Sequence, residues 1–227
     1  MTDPTGPRGG RALEGRRLYL CTPDRPDLED FIERCIAGGV DVVQLRDKHL
    51  PDTEVVERAA LAQRVCAEHR VPFILNDRPD LAAAIGADGV HVGQEDMAPA
   101  EARRLLGEHA VIGLSTHDRD DLGRALREPV DYISAGPVTP TPTKPGRAGT
   151  GLGYVGEAVR SAPWPVWITG GVDPTSVVEM VATGARHFVV VRWLTESADP
   201  EAGARMLRQV IDDAIGGVGD ATPPGGR

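Results

Sequence analysis

Apolar positions along the chain fall into two alternating patterns. Short, nearly continuous apolar runs recur at Leu18–Cys21, Asp41–Leu45, Pro72–Leu75, Gly89–Val92, Val111–Leu114, Tyr132–Ala135, Val166–Ile168 and Phe188–Val191. Runs of this kind suit parallel strands covered on both faces. The stretches between them carry helical spacing. Leu28–Ala37 repeats its apolar residues at 28, 31, 32 and 35, and Asp52–His69 sets Val55, Val56, Ala59, Ala62 and Cys66 on one face. Pro79–Ile85, Ala98–Leu106, Arg119–Leu126 and Tyr154–Val159 are shorter. Pro174–Thr183 starts from Asp173-Pro174, a cap residue and a first-turn proline, and stops at Gly184. Glu201–Ile215 aligns Ala202, Met206, Val210 and Ala214 in a stripe.

Three segments share one grammar: residues 37–43, 85–91 and 183–189 each end a helix on glycine, turn, and begin a strand. Strand and helix thus alternate eight times, which predicts a single (β/α)₈ TIM barrel over residues 17–215. Residues 1–16 and 216–227, rich in Gly and Pro and without apolar periodicity, are expected to be flexible tails. A doubly wound open sheet is the alternative, but no G-x-G-x-x-G follows the first strand, which counts against a dinucleotide fold.

Composition narrows the function. The net charge is −9, with 25 Lys and Arg against 34 Asp and Glu, which argues against non-specific nucleic-acid binding. No apolar run is long enough to span a membrane, and the first 17 residues have no signal-peptide core. The 3 cysteines, Cys21, Cys35 and Cys66, sit in apolar patterns and are expected to be buried free thiols in a cytoplasmic protein.

In a barrel of this kind the chemistry gathers at the C-terminal strand ends. Phe73–Asp77 and Gly89–Asp96 are neighbouring strands, and each runs into a carboxylate: Asp77 on one, Asp96 on the other. The pair either shares a hard cation such as Mg²⁺ or caps the helices that follow; spacing alone leaves both open. Arg46, Lys48, Arg78, Lys144 and Arg192 fall on the same rim of an otherwise acidic chain, as a phosphate or pyrophosphate would require. The proline-stiffened loop Pro137–Gly146 presents Thr141, Thr143 and Lys144, which suits either a phosphate clamp or a solvated linker. Gly170-Gly171 suits the barrel's usual anion site or a simple tight turn. Ser115 and His117 suggest a nucleophile pair, but no carboxylate is evident to orient them. His91 is expected inside the barrel, and Trp164 and Trp167 are expected to serve packing.

Gln44-Leu45-Arg46-Asp47-Lys48, Asn76-Asp77-Arg78, His91–Asp96, Gly113–His117, Gly136–Lys144 and Gly170-Gly171-Val172, in this order, resemble the thiamine-phosphate synthase family from about Leu18 to Leu194. The resemblance implies joining of 4-amino-5-hydroxymethyl-2-methylpyrimidine diphosphate to a thiazole phosphate, with release of pyrophosphate. It implies that Asp77 and Asp96 hold one Mg²⁺ per subunit, and that Gln44, Leu45, Arg46, Asp47, Lys48, Asn76, Ser115 and Lys144 bind the pyrimidine diphosphate. Arg46, Lys48, Ser115 and Lys144 would be the catalytic group. Thr141, Pro142, Thr143, Gly171, Val191 and Arg192 would bind the thiazole phosphate. Arg192 departs from the family pattern, which has a small hydroxyl residue there. The implied partners are small phosphorylated molecules, and homo-oligomerisation is left open. Two rivals share the barrel: a family paralogue that aromatises the thiazole phosphate by proton transfer, and a non-catalytic phosphate sensor.

Overall fold

The computed structural model describes residues 8–142, 146 and 148–219. Eight parallel strands close into a barrel in sequence order. They are β1 (Leu18–Thr22), β2 (Val42–Leu45), β3 (Phe73–Asn76), β4 (Gly89–Val92), β5 (Val111–Thr116), β6 (Tyr132–Ala135), β7 (Val166–Thr169) and β8 (His187–Val190). The closing pair is β1 with β8, Leu18 opposite Phe188. Between them run α1 (Leu28–Ala37), α2 (Asp52–Glu68), α3 (Pro79–Ile85), α4 (Pro99–Leu106), α5 (Arg119–Ala125), α6 (Gly151–Ser161) and α7 (Ser176–Ala182), followed by α8 (Arg192–Thr195) and α9 (Pro200–Gly219). The (β/α)₈ expectation therefore holds, with α8 as a short helix that periodicity did not reveal.

The strands feed two cores. One set of side chains, including Leu20, Val43, Phe73, Val90, Ile112, Ile133, Ile168 and Phe188, packs outward against the helices. The alternate set, Tyr19, Val42, Ile74, Val111, Tyr132 and Trp167, fills the barrel interior as a separate cluster. Stepping two residues along a strand moves one layer up the interior. The lower layer is apolar and aromatic. The layer above it is polar: Cys21, Gln44, Asn76, His91, Ser115 and Ser134 are all at least nine-tenths buried. This polar layer is the floor of the site.

The N-terminal reading needs correction. Arg8–Leu13 forms a 3₁₀ turn rather than a loose tail. Leu13 is buried within the interior cluster beneath Tyr19 and Trp167, so it closes the end of the barrel opposite the site. The Arg16 guanidinium ties this segment to the carbonyls of Ala12 and Asp41. At the other end α9 continues through residue 219, past the expected limit of 215, and packs on α1 and α7. Residues 1–7 and 220–227 lie outside the described residues.

Candidate active site

A cleft of about 480 Å³ opens over the C-terminal ends of the strands, with Gln44, Arg46, Lys48, Asn76, Asp77, Asp96 and Ser115 on its walls. The strand ends thus bring together residues from four βα units, as the sequence predicts. Arg46 makes no ion pair among the described residues. Lys48 donates to Asp77 at 2.9 Å. Leu45 and Asp47 do not face this cleft. The Leu45 side chain belongs to the outer core. The Asp47 carboxylate accepts from the backbone of His49 and Leu50 at 2.8 and 3.1 Å, and so braces the loop that carries Lys48.

Asp77 and Asp96 meet, as neighbouring parallel strand ends should. Asp77 takes a left-handed backbone with φ 61°, unusual for a residue with a side chain, while its N–H donates to the His91 carbonyl at 2.8 Å. Asp96 accepts the Gly93 N–H at 2.7 Å. Their carboxyls are close enough for each to shift the other's titration. Burial pushes Asp77 up, but the Lys48 ammonium and the neighbouring Asp96 carboxyl outweigh it and hold Asp77 below the usual carboxylate range. Burial, with the adjacent Asp77 charge, raises Asp96. Two carboxylates forced together in this way match the hard oxygen donors that Mg²⁺ takes, with the other positions left to water and substrate oxygens. Among the described residues no cluster of three or more His, Cys, Asp or Glu could hold a metal.

A second cleft of about 430 Å³ adjoins the first, and the two share Thr169, Val189 and Val191. It is lined by Thr141, Gly170, Gly171, Arg192 and Trp193, among others. Gly170 and Gly171 both have left-handed backbone, with φ 87° and 78°. A Cβ on Gly170 would lie 2.4 Å from Pro137 Cβ, and one on Gly171 would lie 2.4 Å from Thr139 Oγ1. Glycine is needed here for conformation and for room, because the loop after β6 rests directly on this turn. Arg192 starts α8 and is exposed, without an ion pair among the described residues. Pro142 is exposed on the loop and does not line the cleft. Thr143 and Lys144 lie outside the described residues.

Two expectations change. Arg78 turns away from the first cleft to pair with Asp52 and Asp80, so it leaves the cationic rim. His117 does have an orienting carboxylate: its Nδ1 is 2.7 Å from Asp121, which is itself buried and held by Arg124. The spacing of four residues across the start of a helix was the available signal. Ser115 pairs instead with His91, whose Nε2 lies 2.9 Å from Ser115 Oγ. The interior placement of His91 and the packing role of Trp167 hold.

A family model described as "Thiamine monophosphate synthase" matches residues 18–194. The chain is 49% identical over 204 residues to "Thiamine-phosphate synthase" of Thermus thermophilus, covering 85% of this chain and 96% of that one. It is 41% identical over 222 residues to the "Thiamine-phosphate synthase" of a Mycobacterium species, covering 92% and 96%. The solved structure of "Thiamine phosphate pyrophosphorylase" from Pyrococcus furiosus superposes with a TM-score of 0.80 at 27% identity, covering 88% of this chain and 96% of that chain.

Proposed function

Because the chain belongs to the thiamine-phosphate synthase family and is thereby a transferase, we propose that it joins the pyrimidine diphosphate to the thiazole phosphate with loss of pyrophosphate. The observation that carries this reading is the pair of adjoining clefts. One is rich in cations and carboxylates, the other is built on glycine, and they share a wall at Thr169, Val189 and Val191. Two substrates bound side by side would have their reacting atoms at that wall.

The bond to diphosphate breaks as the aminopyrimidine stabilises a methylene cation, and the thiazole nitrogen then attacks that carbon. The step calls for charge neutralisation and alignment more than for a base. Arg46 and Lys48, with Lys144 from the loop, would hold the diphosphate oxygens. Gln44, Asn76 and Ser115 would orient the pyrimidine. Asp77 and Asp96 would hold Mg²⁺, which when bound supplies further positive charge against the leaving group. The turn at Gly171, Thr141 to Thr143 and the Val191-Arg192 segment would take the thiazole phosphate.

The test is a pyrophosphate-release assay with protein, Mg²⁺ and both substrates, each omitted in turn. Release that needs every component supports the reading; no release in the complete mixture overturns it. A second reading has one observation in its favour. The His117–Asp121 pair on the cleft wall is an acid–base arrangement suited to proton transfer on the thiazole phosphate. Thiazole phosphate binding without pyrophosphate release, accompanied by deuterium exchange into its ring, would favour it.

Arg192 gives a further expectation. If its guanidinium pairs with the thiazole phosphate, Arg192→Ala should raise the KM for that substrate by about tenfold, as for one charge-assisted contact. The KM for the pyrimidine diphosphate should stay within about twofold on the same grounds. Steady-state kinetics with each substrate varied checks both; an unchanged thiazole KM would leave the phosphate to the backbone.

A further inference from the structure

Below the first cleft, hydrogen bonds cross the barrel interior without a break. Cys21 Sγ is 3.1 Å from Gln44 Oε1, and Gln44 Nε2 is 2.9 Å from the Tyr19 hydroxyl. Tyr19 and Tyr132 hydroxyls are 3.1 Å apart, and the Tyr132 hydroxyl is 2.9 Å from His91 Nδ1. His91 Nε2 then reaches Ser115 Oγ. The chain runs over four strands beyond β1, and it needs the absence of a side chain at Gly113. A Cβ there would lie 2.0 Å from the Tyr132 ring, which passes over β5 to meet His91.

The direction of the chain follows from donor counting. A thiol next to an amide oxygen donates, which turns Gln44 Nε2 toward Tyr19. Tyr19, having accepted from Gln44, spends its own proton on Tyr132. Tyr132 passes its proton to His91 Nδ1. His91 must then carry its proton on Nε2 and donate to Ser115. Ser134 Oγ, 3.4 Å from Ser115 Oγ, is placed as a second donor. With Gln44 Oε1 on the Cys21 thiol, reversing the Tyr19–Tyr132 or the Tyr132–His91 bond strands a phenol proton, and because Tyr19 and Tyr132 are 1% and 0% exposed, an unmet hydroxyl there is costly. Ser115 therefore receives hydrogen bonds from below. Its own proton has no acceptor among the described residues, and it lies on the cleft wall.

We infer that Tyr19, Tyr132 and His91 are positioning residues that act as a one-way hydrogen-bond relay, fixing Ser115 as a donor toward the ligand in the first cleft. The inference rests on the proposed function in one respect, that this ligand is the pyrimidine diphosphate. With the relay intact Ser115 meets an oxygen or nitrogen lone pair of the substrate. With the relay cut, His91 can take the other tautomer, and Ser115 can turn its proton down onto Nε2.

The test has a spectroscopic and a kinetic part. Imidazole ¹⁵N shifts, assigned among the 6 histidines by single His→Gln variants, should show His91 of the substrate-free protein as the neutral Nε2–H tautomer. An Nδ1–H tautomer or an imidazolium at neutral pH would overturn the relay. Tyr132→Phe should lower kcat about tenfold, the worth of one well-placed hydrogen bond. In a Ser115→Ala background the same change should cost under about twofold, because its effect travels through Ser115. An equal loss in both backgrounds, or no loss in either, would make Tyr132 a packing residue and overturn the inference. The tautomer is read without substrate. A wild type that releases no pyrophosphate would sink the proposed function and leave the relay to stand or fall on the ¹⁵N result.

Discussion

Asp96→Ala is expected to cut turnover at fixed Mg²⁺ by at least about tenfold, equivalent to about 1.4 kcal/mol of transition-state stabilisation. Asp96 meets Asp77 at the ends of β4 and β3, and burial together with the neighbouring charge raises its carboxyl. Such a pair is costly unless something positive sits beside it. Lys48 supplies one positive charge, on Asp77. A divalent cation held by both carboxylates would supply the rest and present it to the leaving pyrophosphate. Asp96 also accepts the Gly93 N–H, so the alanine variant loosens the loop as well as removing charge. Asp96→Asn separates the two effects, because an amide oxygen can keep the Gly93 bond. Both variants should be slow, and raising Mg²⁺ should restore part of the asparagine variant's rate. A steady-state pyrophosphate assay in which Asp96→Asn runs at the wild-type rate would remove the metal from these two residues.

How far the sequence carried depends on which side chains the fold lets stand alone. The strands were legible because both of their faces are buried, which makes each run nearly continuous and hard to mistake. The same continuity hid which residues point inward. Val42 and Val43 look alike in sequence, yet one fills the barrel and the other packs on helices. The polar layer could be glimpsed in Gln44, Asn76 and Ser115, each two residues above an interior apolar position or its glycine equivalent. Pairing errors arose where partners are distant or ambiguous. Arg78 reads as a rim cation until Asp52, 26 residues away, is seen to take it. Asp121, four residues from His117, is close at hand, yet four residues of spacing do not by themselves show that the two side chains meet. Leu13 gave no warning at all. A single apolar residue in a Gly- and Arg-rich stretch has no period, and only the closed barrel shows the hole it fills.

Gly113→Ala is expected to be strongly damaging to both stability and turnover. The new Cβ would lie 2.0 Å from Tyr132 Cζ and 2.4 Å from its hydroxyl. Neither group can retreat. Gly113 is fixed in register between His91 and Tyr132, and the Tyr132 ring is wholly buried against Tyr19, His91 and Trp167. Overpacking of a rigid core costs about 1–3 kcal/mol and more when backbone must move, so a loss of about 3 kcal/mol is expected. For a chain of this size that lowers Tm by roughly 6–12 °C. Gly123→Ala, in α5, is the control: nothing lies within 4 Å of its Cβ, so helix propensity should leave stability equal or about 0.5–1 kcal/mol higher. Denaturant unfolding of both variants decides the packing claim, and a Gly113→Ala protein as stable as the wild type would refute it. The surviving folded fraction carries the second half of the argument. To accept the methyl, Tyr132 must swing off β5 and release His91, so kcat per folded molecule should fall about tenfold, as in Tyr132→Phe. If stability drops while kcat per folded molecule holds, Gly113 makes room for the ring, and the ring's hydroxyl does nothing for Ser115.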